Sequence, residues 1–226
     1  MRIAAIATHP DDETLGCGGT LLRRQAEGAE IHWIIVTALH EPRWRARDME
    51  IWQSQIDNVA AAYDFAGIHR LGFPSAALDT VPLDHMIAAL GAAIEDIRPD
   101  VVMLNHRGDV HTDHRIAFDA ALSVLKPIHM AHFGVKRILA YETLSSTEAA
   151  SPPAGDIFVP NHFVEIGDAI DRKVEIMALY QSEVQADPLP RGPSALRALA
   201  RYRGASIGKD HAEAFMLIRD LDTLAS

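Results

Sequence analysis

Apolar residues along this chain fall into short unbroken runs, separated by longer stretches in which they recur every three or four positions. The runs are RIAAIAT (2–8), IHWIIVTA (31–38), IHRLGF (68–73), DVVMLN (100–105) and KRILAYE (136–142). Each is too short for a typical helix and most lack polar alternation, which predicts strands buried on both faces. The stretches 14–27, 45–66, 83–97 and 114–125 read as helices. Leu83, Ile87, Leu90 and Ile94 mark one apolar stripe, and Leu15, Leu21, Leu22 and Ala26 another. Strands alternating with helices predict an α/β fold with a largely parallel sheet flanked by helices. The segments SPPAGD (151–156) and QADPLPRGPS (185–194) read as loops, because neither flanking piece could support its own core. The expectation is a single domain spanning 1–226.

Composition narrows the function classes. A formal charge of −10 argues against a nucleic-acid surface, which needs a basic face. One cysteine, Cys17, excludes an intrachain disulfide framework and a cysteine-rich metal site, and it fits a reducing compartment. The first apolar run is short, lacks a basic leader and ends in charges, and nothing approaches the ~20 apolar residues of a membrane span. The expected location is the cytoplasm.

Two polar clusters break this ordinary picture. THPDDE (8–13) ends the first strand run, and NHRGDVHTDHR (105–115) follows the run DVVMLN. Ligands of open α/β sheets gather at the carboxyl ends of strands. His9, Asp11, Asp12, Glu13, His106, Asp109, His111, Asp113 and His114 are therefore expected at one rim, where they supply the nitrogen and oxygen ligands of a zinc site with an open water position. Asp11 or Asp113 alone would also serve as a helix cap. Glu13 fits capping or ligand support at the helix N-terminus better than chemistry.

Together, THPDDE and HTDHR resemble the paired motifs of the PIG-L/LmbE family of zinc-dependent N-deacetylases. TLGCGGTL (14–21) and YRGASIGKDHAEAF (202–215) are similar to further family segments. The resemblance implies a Rossmann-like fold and removal of the N-acetyl group from a small amino-sugar substrate. It implies Zn²⁺ as cofactor, with Fe²⁺ or another divalent ion as the alternative. Carried over by position, His9, Asp12 and His114 are the metal ligands, and Asp11 is the general base. His111 stabilises the intermediate and protonates the leaving amine, while Asp113 orients and charges His111. Family members often form trimers or hexamers, so a homo-oligomer is expected.

The chain departs from the family after the second strand run, in TALHEPRWRARD (37–48). The arginine that grips the sugar in relatives falls near Gln53 or Gln55 here. In its place stand Arg43, Arg45 and Arg47, candidates for binding a substrate phosphate. Tyr141, Glu142, Ser146 and Arg191 are further candidates for the pocket. His129 and His132 have no carboxylate nearby in sequence and read as surface or packing residues. The glycines of GCGGT miss the dinucleotide-binding spacing and fit close helix–strand packing.

Overall fold

A computed structural model of the chain describes residues 1–151 and 153–222. Its elements run β1 (Arg2–Ala7), α1 (Asp12–Ala26), β2 (Glu30–Ala38), α2 (Ala46–Tyr63), β3 (Gly67–Pro74), α3 (Leu83–Ile97) and β4 (Val101–Asn105). They continue with α4 (Thr112–Val124), α5 (Pro127–Phe133), β5 (Arg137–Tyr141), β6 (His162–Glu165), α6 (Ala169–Met177), α7 (Pro193–Ala205) and β7 (Ala212–Asp220). The sheet order is β3-β2-β1-β4-β5-β7-β6. The first five strands are parallel, and β7 runs antiparallel to both β5 and β6.

All five predicted strands and all four predicted helices are present. The elements not anticipated are α5 and nearly everything after β5, namely β6, α6, α7 and β7. No helix among the described residues is long and apolar enough to cross a membrane.

The unalternated runs have the expected cause. In β1, Ile3, Ala5 and Ala7 join one core with Trp33, Tyr141 and residues of α1, α2 and α6. Ala4 and Ile6 join a second core with Val102, Leu104 and residues of α3 and α4. A strand covered on both faces has no position left for a polar side chain. The edge strand β3 instead alternates between exposed and half-buried positions along most of its length.

Chain order reverses between β1 and β4, which pair side by side. This is the point where an open α/β sheet leaves a crevice beyond its strand ends. Asn105 ties the two ends together. Its Oδ1 accepts from Thr8 N at 3.0 Å and from Thr8 Oγ1 at 2.9 Å, and its Nδ2 donates to Thr143 Oγ1.

Helix α1 lies unusually close to its neighbours. A Cβ at Gly16 would fall 2.0 Å from the Tyr141 ring, and one at Gly18 would fall 2.3 Å from Tyr63 OH. The glycines therefore serve close packing, as the sequence indicated. A buried ion pair fixes the same helix further along. Lys173 Nζ donates to the Leu15 carbonyl at 2.8 Å and pairs with Glu213 at 2.7 Å, and Glu213 accepts from Gly19 N and Thr20 N. Leu15 C=O is the usual helical acceptor for Gly19 N–H, so the pair stands where that ladder bond would be.

Candidate active site

The β1–α1 turn is built around strain. Asp11, the residue before α1, has φ 107°, a region that non-glycine residues rarely occupy. Its neighbours hold it there. Asp12 Oδ2 accepts from His9 N at 2.8 Å, and Glu13 Oε2 accepts from Asp11 N at 3.3 Å. Glu13 is fully buried, accepts from Thr14 Oγ1 and Tyr180 OH, and is pushed up to about 7 by burial. Its place is behind the turn, in the supporting role expected of it.

The second loop comes over from β4. His111 Nδ1 accepts from Asp113 N and caps α4, which leaves Nε2 as the protonated ring nitrogen of a neutral imidazole. His9, His111 and His114 each offer a ligand atom within 4.8 Å of the others. Asp12 Oδ2 lies 3.6 Å from His9 Nδ1 and 3.4 Å from His114 Nε2. The remaining nitrogen of each of these two rings faces a carboxylate: His9 Nε2 meets Asp113 Oδ2 at 3.1 Å, and His114 Nδ1 meets Asp109 Oδ2 at 2.7 Å. Two imidazoles and a carboxylate that converge on one point, each ring backed by an acid, form a donor set suited to a divalent ion.

The charges follow from this packing. Burial opposes charge on His114, but Asp12 and Asp109 overcome it and raise the ring to about 10. Burial likewise opposes charge on His9, which Asp113 and Asp12 hold above its ordinary value. Asp12 is buried too, yet His114 and His9 keep it well below the usual carboxylate range. Asp11 goes the other way, raised by burial and by the charge of Asp12, with Arg191 opposing. His111 is lowered to about 4 by burial and by the two neighbouring imidazoles.

Several expectations need correction. The Asp113 carboxylate does not orient His111; it binds His9, and it also accepts from Ala76 N and Leu78 N. Burial and the two neighbouring imidazoles disfavour charge on His111, against the opposing pull of Asp113. Tyr141 does not line the cavity: its ring is buried under Gly16 and its hydroxyl donates to the Ile6 carbonyl. None of Arg43, Arg45 and Arg47 lines the cavity either. Arg43 donates to the Ala76 carbonyl, and Arg45, 84% exposed, pairs with Asp48. Arg191 does reach the site, where it donates to Asp11 Oδ2 at 3.1 Å, Glu183 Oε2 at 2.5 Å and Ser145 Oγ at 2.9 Å. Ser146 lines the cavity, whereas Glu142 pairs with Arg203 away from it. Asp109, given no separate role in the sequence, is the buried acid behind His114, and its other oxygen accepts from Thr147 Oγ1.

These groups surround a cavity of about 460 Å³. His9, Asp11, Asp12, His111 and His114 line it, together with Trp44, Asp48, Ile51 and Trp52 from the segment that opens α2.

Known proteins resemble this chain. The family model described as PIG-L: GlcNAc-PI de-N-acetylase matches residues 4–125. The diacetylchitobiose deacetylase of Thermococcus kodakarensis is 23% identical over 230 residues, covering 96% of this chain and 83% of that protein. The 1D-myo-inositol 2-acetamido-2-deoxy-alpha-D-glucopyranoside deacetylase of Rhodococcus opacus is 28% identical over 189 residues, covering 68% of this chain and 64% of its own length. Among solved structures, a conserved protein of Thermus thermophilus superposes with a TM-score of 0.77 at 28% identity, covering 98% of this chain and 96% of the other.

Proposed function

The chain belongs to the PIG-L family of de-N-acetylases, and on that premise we propose that it is a metal-dependent hydrolase that removes the N-acetyl group of a small amino-sugar substrate and releases acetate. The observation that carries this reading is the convergence of His9 Nδ1 and His114 Nε2 on the Asp12 carboxylate, with Asp11 adjoining it in a strained turn.

His9, Asp12 and His114 would hold the ion. Zn²⁺ suits two imidazoles and a carboxylate, and Fe²⁺ is the principal alternative. When bound, the ion polarises the amide carbonyl and lowers the pKa of an attached water to ~7. The remaining work falls to this chain's side chains. Asp11, whose burial makes it more basic than a free carboxylate, accepts the proton of the attacking water. His111, neutral with its proton on Nε2, donates a hydrogen bond to the oxygen that becomes negative. Because His111 holds that single proton, Asp11 returns the proton it took to the departing amine. Arg191 steadies the Asp11 carboxylate meanwhile.

The test is acetate release from N-acetylglucosamine and its simple glycosides, followed before and after treatment with a chelator. Release that stops on chelation and returns with added zinc is the expected result. Release unaffected by metal removal overturns the reading.

A further inference from the structure

The cavity has two unlike halves. The half formed by the β1 and β4 loops is polar and holds the groups described above. The other lining residues include Leu39, Trp44, Ile51, Trp52 and Leu15. Asp48, Ile51 and Trp52 are spaced i, i+3 and i+4, so one face of the first turns of α2 is turned to the cavity. Ile51 is 44% exposed and Trp52 only partly buried. Apolar surface left facing water costs about 25 cal/mol per Å² relative to burial. A contiguous stretch of it inside a concave site marks what a ligand covers.

The same cavity is rich in carboxylates. Asp11, Asp12, Asp48 and Glu183 line it. Arg191 is the guanidinium among the lining residues; its Nε donates to Ser145 and its Nη1 to Asp11 and Glu183. A phosphate placed there would meet four carboxylates, against a single guanidinium that already pairs with two of them.

We infer that the substrate carries, next to the amide that is cleaved, an uncharged apolar group that lies against Trp44, Ile51 and Trp52. This rests on the deacetylase reading for the position of the amide, and it adds what the neighbouring group must be. Flat indole faces suit an aromatic ring or an alkyl chain equally. The group has two chemical sources: an aglycone on the sugar, or an N-acyl chain longer than acetyl.

Three compounds separate these sources: the methyl glycoside of N-acetylglucosamine, its benzyl glycoside, and the methyl glycoside bearing N-butanoyl in place of N-acetyl. The expected result is a kcat/KM at least about ten-fold higher for one apolar compound than for the parent, carried by KM, since burying one or two extra methylene groups is worth about that factor. A preference for the benzyl glycoside assigns the wall to the aglycone, and a preference for the butanoyl compound assigns it to the acyl chain. In Ile51→Gln, an exposed helical position where folding is not at stake, the ratio of apolar to parent compound should collapse towards one. Trp52→Leu should reduce the same ratio less, because part of the apolar surface remains.

Equal kcat/KM for all three compounds overturns this inference and leaves the deacetylase reading intact. Absence of turnover of every compound by the zinc-loaded protein overturns the deacetylase reading. Calorimetric binding of the same compounds then decides the wall by itself: the inference stands if one apolar compound binds about ten-fold tighter than the parent in the wild type but not in Ile51→Gln, and falls if none does.

Discussion

The two halves of the cavity are built in opposite ways. The metal-facing half hangs from the ends of two adjacent, fully buried strands, and its functional side chains are held from behind: His9 by Asp113, His114 by Asp109, and the Asp11 backbone by Glu13. The facing half is the start of one helix, with few polar contacts and apolar side chains open to water. One half fixes the reaction and tolerates little change. The other, on the inference above, touches the substrate only through its shape. Breaking the first should abolish the reaction; altering the second should only re-rank substrates.

The sharpest break is at the metal half. Asp12→Ala should lose bound metal and essentially all acetate release, checked together by metal analysis and turnover. Asp11→Asn separates the two properties, since metal content should stay near wild type while kcat falls by about 10²–10⁴-fold, the usual worth of a general base. An Asp11→Asn variant that turned over normally would remove Asp11 from the mechanism.

The acids behind the rings should matter less than the ligands and more than anything on α2. Asp109→Asn leaves His114 in place but removes the charge that orients it, and second-layer carboxylates of this kind are worth about 10–100-fold in metal affinity. Protons report the same architecture. In the metal-free chain His114 is raised to about 10, so it must lose a proton to bind metal, and Asp113 and Asp12 also raise His9 above its ordinary value. Metal affinity should therefore climb as pH rises through neutrality, with proton release visible as a buffer-dependent heat of binding. In Asp109→Asn, His114 gives up its proton more readily and that pH dependence should become shallower.

What could be read from the sequence follows the same division. Strands covered on both faces announce themselves as unbroken apolar runs, and β1 and β4 carry their chemistry directly at their ends. The strands β6 and β7 form an antiparallel edge closed by pairing with distant chain, and HFVE is too short to stand out. Lys173 and Glu213 look in sequence like ordinary solvated charges, yet they are buried inside the fold against α1. Asp109 is similarly one acid among several until the fold sets it behind His114. The α2 segment misled for a geometric reason. Arg43, Arg45 and Arg47 sit within a few residues of Trp44, Asp48, Ile51 and Trp52, and only the fold of this segment decides which set faces the cavity.

That ion pair under α1 offers a way to loosen the rigid half without touching its chemistry. Glu213→Gln replaces one acceptor of the Gly19 and Thr20 N–H groups with a donor and leaves Lys173 buried without a counter-charge. Removing one partner of a buried pair typically costs about 3–5 kcal/mol, so a clear drop in melting temperature is expected. If α1 positions Asp12 as the packing indicates, metal affinity measured well below that temperature should fall as well. A variant that melts early but binds metal as tightly as wild type would show that the pair stabilises the fold without setting the site.

The smallest effect is expected where the sequence pointed most directly at substrate. Arg45 lies on the surface with its guanidinium on Asp48, and Arg47 is likewise exposed, so neither faces the cavity. Exposed pairs of this kind contribute little, and the double change Arg45→Ala with Arg47→Ala should leave kcat/KM on a neutral N-acetyl glycoside within about two-fold of wild type. The informative measurement is the same variant on a phosphorylated N-acetyl sugar. An equally small change there is expected, because neither Arg45 nor Arg47 lines the cavity. A selective loss on the phosphorylated sugar would mean that this loop folds over the substrate, and the apolar wall would then be only part of the surface that chooses it.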